Sequence, residues 1–94
     1  MPVRIEFDPA KNEANIRDRQ LSFEWAAKFD FAGATFLVDD RRDYGEVRRI
    51  AIGYLDGRLH VLCFVETDDG IRVVSFRKAN AREALKHGNP QILD

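Results

Sequence analysis

Two segments carry side chains whose types and spacing suit chemistry on a phosphodiester. The first is Asp43-Tyr44-Gly45-Glu46-Val47-Arg48, running into Arg49-Ile50-Ala51-Ile52-Gly53; the second is Ile71-Arg72-Val73-Val74-Ser75-Phe76-Arg77-Lys78-Ala79. Both read as strands that bear guanidinium groups. A strand alternates its side chains between two faces, and a charge beside core positions needs a partner or an anionic ligand. Metal-free RNA cleavage needs a base for the 2′-hydroxyl, a donor for the leaving 5′-oxygen and cations for the charge that develops on phosphate. Glutamate, tyrosine and arginine supply such groups. Glu46 and Arg48, two residues apart, project to the same side of one strand start, with Tyr44 just before it. Unbroken alternation puts Arg77 on one face with Ile71, Val73 and Ser75, and Arg72 and Lys78 on the other with Val74 and Phe76. Val73 and Ser75 are small, so Arg77 reaches across a shallow face toward Arg48. Two facing guanidinium groups repel unless an anion lies between them.

The same residues admit a plainer reading. Glu46 and Arg48 pair with each other or with a neighbouring strand, and Arg72 and Lys78 form a solvated edge. His60 reads as a surface or boundary residue, and His87, near a helix C-terminus, as a partner of the helix dipole. Trp25 reads as core in preference to a base-stacking platform. Other chemistries lack support: His60 and His87 stand 27 residues apart, with no Cys/His/Asp spacing of a zinc or calcium site. Cys63 lies within the apolar run 59–65 and reads as a buried reduced thiol, while Ser22 and Ser75 have no local base. Glycines occur singly at turns, so no phosphate-cradling loop is present.

The elements that must position these side chains fit within one domain spanning residues 1–94, enough chain for a single modest core. Hydrophobic residues make up 45% and charged residues 33%, which excludes a disordered chain. A formal net charge of −1 argues against a strongly basic nucleic-acid coat, but the charge is unevenly spread. Residues 1–40 hold five Lys/Arg against eight Asp/Glu, whereas residues 41–94 hold ten against eight. The cations thus gather on the later strands and the last helix. No apolar h-region follows Met1, and no run approaches the ~18 apolar residues of a membrane span, so a cytoplasmic protein with no membrane contact is expected.

Val3 to Phe7 alternates as a short half-buried strand. Asp8-Pro9 starts a helix that reaches about Arg19, because the carboxylate accepts orphan N–H groups and proline loses no donor at the first helical position. Ser22 caps a second short helix ending near Phe29. Strands follow at 35–38, 48–54, 59–66 and 71–78, with hairpin signals at Asp56-Gly57 and Asp68-Asp69-Gly70. Asn80 with Glu83 forms a capping box, and Gly88 with Pro90 stops the last helix. The expected fold is α+β: an N-terminal strand and helices, an antiparallel sheet of three to four main strands, and a C-terminal helix.

Nearly the whole chain resembles the BrnT family of toxins from bacterial type II toxin–antitoxin systems, which are similar to RelE-type ribonucleases. The resemblance is carried by Phe7-Asp8-Pro9-Ala10-Lys11 with Asn15, by Leu21-Ser22-Phe23 with Ala26, and by Asp40-Arg41 leading into Tyr44-Gly45-Glu46-Val47-Arg48 and Ile52-Gly53. The block from Ile71 to Ala79 completes it. Members usually carry tryptophan where this chain has Phe7, and a Lys-His-Gly run where it has Asp18-Arg19-Gln20. The resemblance implies a small RNA-cleaving toxin that needs no metal or other cofactor and inhibits translation. It further implies neutralisation by a cognate ribbon-helix-helix antitoxin of the BrnA kind, through which alone the toxin reaches operator DNA. By position, Glu46, Arg48 and Arg77 become candidates for the catalytic surface, with Lys11, Arg19, Tyr44, Arg72 and Lys78 as substrate contacts. Arg19 stays protonated, so it binds charge where a histidine would also move protons.

Overall fold

The computed structural model describes residues 4–87, the Lys86 side chain excepted. Strand β1 (Arg4–Phe7) leads into helix α1 (Pro9–Arg19) and a 3-10 helix (Phe23–Lys28); β2 (Thr35–Asp39), β3 (Arg48–Leu55), β4 (Arg58–Glu66), β5 (Gly70–Lys78) and α2 (Ala81–His87) follow. Local chemistry sets these boundaries. Asp8 Oδ1 accepts from Ala10 N at 2.9 Å, and Ser22 Oγ accepts from Glu24 N at 3.2 Å. Asp56 and Gly57 both take positive φ, 51° and 78°, the mirror-image turn that suits the β3–β4 hairpin. Asn80 and Glu83 cap each other reciprocally, each side chain accepting from the other's backbone N–H at 2.9 Å. The stop expected at Gly88 and Pro90 lies outside the described residues.

The sheet is larger than the three to four antiparallel strands expected. It has five strands in the order β1-β5-β4-β3-β2, and β1 pairs parallel to β5. The chain leaves β1, crosses one face through α1 and the 3-10 helix, and lands at the far edge as β2. Antiparallel steps through β3 and β4 then return it to β1 running in the same direction. Gly70 permits that contact, because a Cβ there would overlap the Arg4 backbone.

A bulge in β5 overturns the expected assignment of faces. Cys63 stands opposite Ser75 and Phe64 opposite Val73, which leaves Val74 as an extra residue. Alternation slips by one at that point. Ile71, Val73 and Phe76 consequently all enter the main core, beneath α1 and the 3-10 helix. Arg72, Ser75 and Arg77 take the opposite face, and Lys78 returns to the helix-covered side beside its cross-strand neighbour His60.

The 3-10 helix explains a second correction. Its three-residue period turns Phe23, Ala26 and Phe29 inward and leaves Trp25 47% exposed, not in the core. Phe23 and Phe76 are fully enclosed, and truncating either to alanine would cost about 3–5 kcal/mol. His60 is buried, not a surface residue, with its ring centroid 5.6 Å from that of Phe76. A smaller core of Ile52, Leu59, Val61, Ala79 and Ala84 lies under α2 on the other face. His87 is tied down there by Thr35 Oγ1 at 2.8 Å and the Tyr54 ring.

Candidate functional site

Helix α2 covers only one end of the sheet face that carries Arg72, Ser75 and Arg77. Beside it opens a cavity of about 560 Å³ between β2, β3 and β5. Cys63 and Ser75, paired in register, form a low floor, so the long side chains around them stand over a concave surface. Burial pushes the Cys63 thiol up, which keeps it protonated and unreactive.

Asp39, Arg41 and Arg48 in one wall belong to a chain of charge contacts that continues beside the cavity through Tyr44, Glu46 and Arg72. Asp39, at the end of β2, has a fully enclosed side chain that accepts Arg41 Nε and Nη2 at 2.8 Å each and Tyr44 Oη at 3.1 Å. The Arg41 guanidinium holds the Asp39 carboxyl well below the usual carboxylate range. Tyr44, steered by that hydrogen bond, lays its ring 3.9 Å from the guanidinium carbon of Arg48. Arg48 Nε is buried without a hydrogen-bond partner and lies 4.0 Å from Glu46 Oε2. Glu46 Oε2 in turn accepts Arg72 Nη2 at 2.6 Å, and that bond holds the Glu46 carboxyl below its ordinary value. An ionised carboxylate so held is a weak proton acceptor.

The facing wall is Arg77, claimed by a residue of α2. Its two terminal nitrogens donate to the two oxygens of Glu83 at 2.7 and 2.5 Å. The anion expected between Arg48 and Arg77 thus has a counterpart within the fold, Glu83, paired with Arg77.

The eight residues singled out by sequence therefore fall into groups. Tyr44, Glu46, Arg48 and Arg72 meet directly, and Arg77 lines the same cavity as Arg48. Lys11 and Arg19 lie together on α1, in a groove beside Val74 and Ser75. Arg19 Nη1 donates to Asn15 Oδ1 at 2.9 Å, and Asn15 Nδ2 donates to the carbonyls of Leu21 and Phe76 at 2.9 Å each. Lys78 is on the helix-covered side, but it shares a second groove with Arg19 and Arg77. Arg77 thus borders both sides, as do Val74 and Ser75.

Sequence reasoning missed three members of the site. Asp39 and Arg41 stand two apart at a strand end, a spacing that lets a guanidinium fold back on its carboxylate, yet Arg41 is singled out by sequence only with Asp40 in the family resemblance, and Asp39 not at all. Glu83 was legible as a cap, but nothing local marked its second role at Arg77. Among the described residues, no group of three or more His, Cys, Asp or Glu side chains is placed to hold a metal ion, and no helix is long and apolar enough to cross a membrane.

A family model described as the ribonuclease toxin, BrnT, of type II toxin-antitoxin systems matches residues 7–83. No curated protein matches the chain.

Proposed function

Because the chain belongs to the BrnT family, the ribonuclease toxins of type II toxin-antitoxin systems, we propose that it cleaves RNA on the open sheet face without a metal ion and thereby inhibits translation. A ribbon-helix-helix antitoxin of the BrnA kind neutralises it in this reading. The observation that carries the proposal is Arg48: a guanidinium fixed beneath Tyr44, with a buried Nε that lacks a partner, across a concave floor from Arg77. A phosphate in that space supplies the missing acceptor and lies between two cations, where charge developing in the transition state is stabilised. Arg77 exchanges a Glu83 oxygen for a phosphate oxygen. Glu46 stands next to Arg48 as proton acceptor for the 2′-hydroxyl, a weak one while Arg72 holds it, so charge stabilisation bears most of the acceleration.

One observation favours a second reading, a non-catalytic antitoxin-binding module that takes part in operon autoregulation. Asp39, Glu46 and Glu83 are each engaged by an arginine, and Arg19 occupies the place of the histidine in the Lys-His-Gly run. The discriminating experiment is expression with and without the adjacent antitoxin, followed by mapping of RNA ends, and digestion of RNA by purified protein in EDTA and in magnesium. New 5′ ends, together with cleavage that persists in EDTA, support the ribonuclease. Soluble partner-free protein that generates no new ends supports the binding module.

A further inference from the structure

The groove beneath Trp25 lies outside the cavity that holds Arg48, yet its lining is chemically specific. It measures about 260 Å³ and is bordered by Arg19, Trp25, Asp56, Arg58, His60 and Lys78. Three cations thus meet a single carboxylate around a half-exposed indole, in a protein whose net charge is −1. Cations that follow a backbone and an aromatic plane that stacks on a base are the two elements of sequence-tolerant single-strand binding.

Its position matters as much as its lining. A neighbouring groove lined by Arg19, Leu21, Arg77 and Lys78 shares Arg19 and Lys78 with it, and Arg77 also borders the cavity that holds Arg48. Grooves that share cationic lining residues therefore link Arg48, through Arg77 and Lys78, to Arg19 and Arg58.

We propose that the Trp25 groove is a distal nucleotide-binding subsite for the same single-stranded RNA whose scissile phosphate lies between Arg48 and Arg77. The base stacks on Trp25, and Arg19 and Lys78 follow the backbone between the two sites. His60 adds a polar contact at the wall. Its Nδ1 lies 2.8 Å from the Arg58 carbonyl, which only accepts, so Nδ1 carries the proton and Nε2 is the acceptor of the ring. Burial pushes the His60 pKa down, which keeps that tautomer neutral. The inference rests on the ribonuclease reading for the place of the scissile phosphate, but binding at Trp25 is separable from cleavage.

Trp25 is the sole tryptophan of the chain, so intrinsic fluorescence reports on this groove alone. The test titrates the protein with uncleavable 2′-O-methyl oligonucleotides, from a dinucleotide to a decamer, and follows indole emission beside the anisotropy of an end label. The decamer is expected to quench the indole and the dinucleotide is not. Trp25→Ala should weaken decamer binding by about fivefold to a hundredfold, and Trp25→Phe should restore most of it. Decamer binding with unchanged emission and unchanged affinity of Trp25→Ala overturns the subsite, as does quenching by the antitoxin but by no oligonucleotide. Quenching by the decamer in a protein that cuts no RNA would retain the subsite and remove the ribonuclease reading.

Discussion

Arg77 and Glu83 meet as a two-pronged ion pair, Nη1 to Oε1 at 2.7 Å and Nη2 to Oε2 at 2.5 Å, and the same Glu83 Oε1 accepts Asn80 N at 2.9 Å. One carboxylate thus caps helix α2 and neutralises a cation of the candidate site. Stability and phosphate binding make opposite demands on it. Glu83→Gln should lower the melting temperature by several degrees, the scale of about 1 kcal/mol for a lost charge-assisted cap. Affinity for single-stranded RNA should rise severalfold at low salt, because Arg77 no longer has an ionic competitor. Thermal melts and anisotropy on one preparation check both halves; unchanged or weaker RNA binding would take Arg77 out of the phosphate site.

The two arginines that face the cavity should part company when each is truncated. Arg48→Ala removes a guanidinium whose buried Nε has no partner, so stability should change little or rise slightly. Arg77→Ala removes the two-pronged ionic partner of Glu83, whose side chain is only 17% exposed, and should destabilise the fold. Both should reduce RNA cleavage by about tenfold to a thousandfold. The double variant Arg77→Ala/Glu83→Ala, with both charges removed, should recover only part of the stability, because the α2 cap is lost with Glu83, and none of the activity. Recovered activity in that protein would make the role of Arg77 structural.

Acid should expose the Asp39 and Glu46 pairs. Both carboxyls are held below their ordinary values of 3.8 and 4.5, Asp39 by Arg41 and Glu46 by Arg72. The unfolded chain therefore binds protons first as pH falls. The stability these groups contribute is complete above pH 4.5 and lost progressively as pH drops through 4.5 and 3.8 toward the folded-state values. Urea midpoints measured across this range should fall less steeply for Glu46→Gln than for the parent chain. Cleavage by Glu46→Gln at neutral pH gives a separate answer: near-parental rates assign Glu46 to clamping Arg72 and Arg48, whereas a large loss assigns it proton transfer.

The end of α1 contains a correctable strain. Gln20 sits in the left-handed region at φ 57° and ψ 36°, with its N–H on the carbonyl of Ile16, the place where helices favour glycine. It is also the place of the glycine in the Lys-His-Gly run. Gln20→Gly should stabilise the protein by about 1 kcal/mol, raising the melting temperature by roughly 4–8 °C. A lower melting temperature would show that the Gln20 side chain contributes more than its backbone costs.

Strands, turns and caps were legible because each depends on neighbours within a few residues. Asp8 before Pro9, Ser22 before Phe23, Asp56-Gly57 and the Asn80–Glu83 box all act in the structure as their types dictate. The parallel pairing of β1 was not, since its partner β5 lies more than sixty positions away and only the size of Gly70 hints at it. The link from Glu46 to Arg48 was readable at a spacing of two residues, but its tie to Arg72 crosses 26 positions and needs the sheet to form. Trp25 was misplaced because a hydrophobic tally does not reveal a three-residue period in so short a helix.

The extra residue at Val74 makes β5 tolerant of one change in length. Loops such as 67–69 can absorb an insertion or deletion with a local adjustment, and most substitutions in a strand leave its neighbours where they were. Removing Val74 would likewise leave Val73 inward, Ser75 outward, Phe76 inward and Arg77 outward, the simple alternation of an unbulged strand. One codon is thus all that separates the bulged strand from a regular one with the same two faces.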